Sequence, residues 1–174
     1  FDKYEGRQFQ PTDPAAWRIT ATERGKVFEQ FAQSKYQPPH RSPFNIAWLK
    51  DVVVEDFVFT AHVKSTTRDY GHRDMCLFFG YQDPAHFYYV HLGKKADPNS
   101  NQIMIVNHAP RVRITKKESP GTDWDDQWHV VKIVRRTSDG SIEVYFDDLK
   151  TPLLTAEDKT FLWGQVGIGS FDDT

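Results

Sequence analysis

The chain has 174 residues, a formal net charge of -2 and a pI near 6.4, with 39% hydrophobic and 14% aromatic residues. That length suits one domain around one core, and no run of Lys or Arg forms the basic stripe that nucleic acid needs. The single cysteine, Cys76, excludes a disulfide framework and a CxxC metal site, and no apolar stretch approaches the roughly 18 residues that span a bilayer. The N-terminus, Phe1-Asp2-Lys3-Tyr4, does not resemble a signal peptide. Starting without Met, it reads as the end of a mature or trimmed product.

Taken in chain order, the segment Ser34 to Pro43, with Pro38, Pro39 and Pro43, reads as a long surface loop, since proline cannot donate to a ladder. Val52 to Val63 alternates, with Phe57, Phe59, Ala61 and Val63 on one face and Val58, Thr60 and His62 on the other. Met75 to Gln82 and His86 to Leu92 flank the turn Asp83-Pro84-Ala85 and read as a hairpin. The turn Asp97 to Asn101 leads into Gln102 to His108. After Ala109-Pro110, Arg111, Arg113 and Thr115 share one side of a strand, with Val112 and Ile114 on the other.

Trp128 to Arg135 and Ser141 to Phe146 flank Thr137-Ser138-Asp139-Gly140, a second hairpin. Its core-facing positions are Val131, Ile133, Ile142, Val144 and Phe146. Pro152 to Ala156 follows, then a helical turn near Glu157 to Thr160. The last run, Gly164 to Phe171, carries glycines at alternate positions, Gly167 and Gly169, a mark of close packing or a bend. About ten short strands at regular spacing, without an amphipathic helix, predict an all-β sandwich or barrel forming a single domain over 1–174.

Three segments carry a resemblance. They are Leu77 to Leu92, the Trp128 to Ile133 and Ile142 to Asp147 pair, and Thr160 to Phe171. Together they resemble the concanavalin A-like lectin/glucanase superfamily, especially its laminin G-like and 3-keto-disaccharide hydrolase-like branch. The resemblance covers roughly residues 50–174. It implies a two-sheet antiparallel jelly-roll sandwich acting on or binding carbohydrate, secreted or periplasmic, of the kind found in bacteria. Gly80 and His91 stand where relatives carry Arg. The family adds a final strand after the Ser170-Phe171-Asp172-Asp173 phrase, so a domain ending at Thr174 is expected to be cut short or to lack that strand.

Glycoside hydrolysis needs two carboxylates flanking the scissile bond, and the glucanase triplet Glu-x-Asp-x-x-Glu is absent. Glu55 and Asp56 face opposite ways, and Asp123, Asp125 and Asp126 read as a solvated acidic loop. The chemistry-bearing residues are instead His, Arg and Tyr. Alternation puts Tyr89 and His91 on one face of a strand, with Met104, Val106 and His108 on one face of the next. Histidine can move a proton near neutrality, tyrosine can act as acid, and arginine can hold a uronate carboxylate.

The expected catalytic set is therefore His91, His108 and Tyr89, with His72, Arg73, Arg111, Arg113 and Trp124 binding substrate on a concave sheet. The same parts build a non-catalytic binding groove, and hydrolase, lyase, binding module and laminin G-like adhesion domain all remain open. No cofactor is required. A structural Ca²⁺ at Asp97 and Asn99 competes with a plain turn there, and Zn²⁺ has no supporting ligand spacing.

Overall fold

The computed structural model describes residues 7–173. The chain begins with β1 (Phe9–Pro11), a 3-10 turn at Pro14–Ala16, and a hairpin of β2 (Trp17–Thr22) and β3 (Gly25–Gln30). Next come β4 (Asn45–Val54), β5 (Phe57–Val63), the hairpin of β6 (Asp74–Asp83) and β7 (His86–Gly93), then β8 (Gln102–Asn107), β9 (Val112–Arg113) and β10 (Thr115–Lys117). The strands β11 (His129–Arg136), β12 (Ser141–Phe146), β13 (Leu154–Glu157) and β14 (Gly164–Ser170) follow. Two antiparallel sheets result, one of seven strands ordered β1-β4-β14-β6-β7-β8-β9 and one of five ordered β10-β13-β12-β11-β5. The β2–β3 hairpin stands apart from both.

The period-two pattern dictates what lies between the sheets. Val131, Ile133, Ile142, Val144, Leu154 and Ala156 from the five-stranded sheet meet Leu77, Phe79, Tyr88, Val90, Leu92 and Ile103 from the seven-stranded one. Each of these is essentially removed from water. The turn between β11 and β12 closes as its sequence dictates: Gly140 takes the left-handed φ of 80°, and Asp139 Oδ1 accepts the Ser141 amide at 2.9 Å.

Two local expectations are corrected. Glu157 to Thr160 is not helical; β13 runs through Glu157, and the residues after it are irregular, with Asp158 Oδ1 accepting the Thr160 amide. Arg111 to Thr115 is not one strand. Val112–Arg113 pairs in the seven-stranded sheet and Thr115–Lys117 in the five-stranded one, so the chain changes sheets at Ile114. The proline-rich segment is irregular, as expected, but it is more than a loop over solvent. Ser34 donates its amide to the buried Asn45 Oδ1 at 2.7 Å, Tyr36 packs on the outer face of the seven-stranded sheet, and Ser42 and Pro43 are buried.

That outer face is a second apolar layer. Ile46, Trp48, Cys76, Phe78, Phe87, Tyr89, Met104 and Val106 are buried there, with Tyr36, Tyr81 and Phe171 against them. A sheet apolar on both sides must be covered on both, and here the proline-rich segment and the residues after β14 supply the cover.

Candidate functional site

The β6–β7–β8 ladder builds the site from the sheet outward. Cys76 pairs with His91, Phe78 with Tyr89 and Tyr89 with Met104, so Asp74, Cys76, Tyr89 and His91 rise from one face. His91 is 5% exposed. Its Nδ1 donates to the Asn99 carbonyl at 2.9 Å and its Nε2 lies 2.6 Å from Asp74 Oδ2. A carbonyl only accepts, so Nδ1 carries a hydrogen, and the Nε2–Asp74 contact holds the second proton. Phe171 stacks on the imidazole at 5.6 Å and 12°, while Asp74 Oδ1 accepts the Phe171 amide at 3.1 Å.

His91 was expected to be a base. The structure gives it instead a buried ring with both nitrogens engaged, which positions Phe171. Tyr89 is buried too, and burial pushes its phenol well above the ordinary range. Its Oη accepts from Arg111 Nη1 at 3.2 Å. Neither side chain reaches the surface to touch a sugar.

What does reach the surface is arginine. The Arg111 guanidinium lies over the Phe171 ring at 4.1 Å and that of Arg41 at 6.0 Å. The Arg111 amide donates to the Arg41 carbonyl at 3.1 Å, fixing the two segments side by side. Neither arginine forms an ion pair among the described residues, and Arg111 Nε is a buried donor without a hydrogen-bond partner there.

His108 stands beside the same rim. Its φ of 51° is left-handed, unusual for a residue with a side chain, and its amide donates to the Ala85 carbonyl at 3.0 Å. The exposed ring meets His86 edge-on at 4.1 Å and His40 at 6.4 Å, with Asp83 Oδ2 holding His86 Nδ1 at 2.8 Å.

The remaining expected binders lie elsewhere. Arg73 is buried at 1% exposure and clamps two loops, donating to Ser65 Oγ, Ser65 O, Asp125 O and Asp126 Oδ1. Its role is structural. Arg73→Met should leave two backbone carbonyls without their donor and cost about 2–4 kcal/mol, lowering the melting temperature by about 5–15 °C in a thermal melt.

Trp124 is also a core residue, 2% exposed, with Nε1 donating to the Leu92 carbonyl at 2.7 Å. His72 is exposed, 3.8 Å from Asp97, and Arg113 pairs with Glu118 at 2.8 Å on the surface. Asp97 Oδ1 accepts the Asn99 amide at 2.6 Å, and the Asn99 carbonyl is taken by His91. The pair thus makes the turn and supports His91.

Asp173 pins the cover. Its carbonyl accepts from Gln30 Nε2, Asn45 Nδ2 and Ser170 Oγ, while its carboxylate accepts from Tyr70 Oη and the Asp74 amide. Burial raises the carboxyl, and the two donated bonds offset only part of that. A carboxyl raised in the folded state stabilises fully below its unfolded pKa, and that contribution is lost as pH rises through the folded value. Carbon-detected NMR should therefore find Asp173 titrating above 3.8, the ordinary aspartate value.

A separate cleft of about 440 Å³ opens between the β2–β3 hairpin and β5, floored by Trp17, Phe28, Phe59 and Ile168 and edged by Trp128. Of the expected catalytic and binding residues, none lines it.

No family model and no curated protein sequence matches the chain. Among solved structures it is similar to the carbohydrate-binding module CBM66 from Bacillus subtilis, with a TM-score of 0.66 at 14% identity, over 95% of this chain and 89% of that one. The fold is the concanavalin A-like jelly roll. The metal-free lectin I-B4 from Griffonia simplicifolia aligns at a TM-score of 0.43 and 12% identity, over 95% of this chain and 85% of that one. A candidate glycosyl hydrolase from Parabacteroides distasonis aligns at 0.40 and 8%, over 99% and 92%.

The sequence did not single out Arg41, Asp74 or the ring of Phe171 as site residues. Arg41 lies in a segment with no periodicity, and Phe171 was read only as the end of a strand.

Proposed function

We propose that this chain binds an acidic poly- or oligosaccharide, whose carboxylate is held by Arg111 and Arg41 at the edge of the seven-stranded sheet. The observation that carries the reading is the pair of guanidinium groups over Phe171, without a carboxylate partner among the described residues and with one donor left unbonded. Guanidinium groups with no carboxylate of their own offer a ligand carboxylate the fork geometry of arginine. The similarity to a module named for carbohydrate binding supports the same class of ligand. Such polymers lie outside the cytoplasm, and that is where this reading places the domain.

Binding is the reading that the two guanidinium groups support. A β-elimination needs a base with a free nitrogen at the substrate; His91 has both nitrogens engaged, so of the expected set that part would fall to the exposed His108 beside the rim. Affinity electrophoresis through gels containing polygalacturonate, alginate or a neutral glucan tests the proposal. Retardation is expected in the polyuronate gels, weakening with salt, without new reducing ends or unsaturated uronate products. Equal retardation in the neutral gel, or none in any, would refute it. Products from a polyuronate would replace binding with a lyase reading.

A further inference from the structure

We propose a zinc site of Asp74, Cys76 and His91 beneath Phe171. Ligand atoms of these three residues lie within 4.8 Å of one another, the only such group of His, Cys, Asp or Glu among the described residues. The sheet makes the convergence. Asp74 and Cys76 are two apart on β6 and share a face, and Cys76 stands directly across from His91 on β7.

The donors suit the ion. Thiolate, imidazole and carboxylate together favour Zn²⁺ over Mg²⁺ or Ca²⁺. The second shell is also in place. His91 Nδ1 donates to the Asn99 carbonyl, which aims Nε2 at the other two ligands, and the Phe171 amide holds the second oxygen of Asp74. Cys76 is fully buried and forms no disulfide.

Two adjustments are required, and both are small. The 2.6 Å separation of His91 Nε2 and Asp74 Oδ2 must open to about 3.3 Å, the span of two bonds of about 2.0 Å in a tetrahedron. Two protons must also leave, one from the Cys76 thiol and one from the His91–Asp74 contact. His91 then stays neutral, keeping its Nδ1 hydrogen on Asn99.

Cobalt(II) titration of the purified protein, stripped with chelator, tests the site. Because Cys76 is the only cysteine, any thiolate-to-cobalt charge-transfer band belongs to it. One equivalent should produce that band together with tetrahedral d–d bands, zinc should displace both, and zinc binding should release two protons. Cys76→Ser should lose the charge-transfer band. Protection of the thiol in the unaltered protein provides a reading independent of that variant's folding: zinc should slow its reaction with a thiol reagent. Absence of the thiolate band, its persistence in Cys76→Ser, or unchanged thiol reactivity would each overturn the site. Cobalt bands of nitrogen ligation alone would do so as well, and would place the ion on exposed histidines such as His40, His86 and His108.

Discussion

Gly169→Ala is expected to abolish folding or to cost about 4 kcal/mol or more, a large share of the 5–15 kcal/mol that holds a typical domain together. A Cβ at this position would sit 1.8 Å from the Asn45 carbonyl oxygen, 2.9 Å from its carbon and 3.2 Å from Phe78 Cε2. The first two are backbone atoms of the neighbouring strand, so no rotamer change relieves the clash. Either β14 or β4 must move, and β14 lies between β4 and β6 in the seven-stranded sheet.

The damage would spread to the cover. Asn45 is fully buried and holds Ser34, Ser170 and Asp173 through its side chain. Shifting it loosens both segments that roof the outer face. Gly25→Ala is the control. Its φ of 95° is left-handed, as that of Gly169 is not, and a Cβ there meets nothing within 4 Å, so only the backbone term of about 1–2 kcal/mol applies. Urea denaturation of both variants separates the clash from the backbone preference. Similar midpoints for the two would show that the sheet yields at Gly169.

Gly169 also marks how far local sequence reaches. Strands with one face in the core declare themselves, because side chains alternate and the turns between them need particular residues. β5, with Phe57, Phe59, Ala61 and Val63 turned inward, and the β11–β12 hairpin around Gly140 are legible on that ground. The β2–β3 hairpin is not, since it joins neither sheet and its half-buried positions alternate weakly. Nor is the change of sheet at Ile114. Alternation continues across it, while pairing partners are set by strands far away in the chain.

The candidate site shows the same limit more sharply. Parity correctly put Tyr89 and His91 on one face. It could not show whether that face is bare. The residues that cover it come from opposite ends of the chain: Arg41 in a proline-rich segment and Phe171 after the last strand. Burial then turned the expected base and acid into supports, and Arg73 and Trp124 into core. Of the expected binders, Arg111 is the one whose guanidinium lies over Phe171.

Arg111→Ala should weaken retardation in polyuronate gels about 10- to 150-fold in dissociation constant. A charge-assisted hydrogen bond contributes about 1.5–3 kcal/mol, and each 1.4 kcal/mol is about tenfold. Arg41 sits farther from the ring and is exposed, so Arg41→Ala should lose only about three- to fivefold, in keeping with an exposed pair worth up to about 1 kcal/mol. Arg111→Lys keeps the charge without the fork and should recover part of the loss.

Because Arg111 also packs on Phe171 and donates to Tyr89, its removal could act by loosening the cover. Tyr89→Phe tells the two apart. It deletes the arginine's acceptor and leaves the guanidinium in place, and because the buried hydroxyl touches no ligand, affinity for the polyuronate should change far less than in Arg111→Ala. If Tyr89→Phe and Arg111→Ala fall together, order in the roof governs binding and the carboxylate contact does not. If neither moves while Trp128→Ala abolishes retardation, the ligand lies in the cleft beside β5 and the two arginines are not its seat.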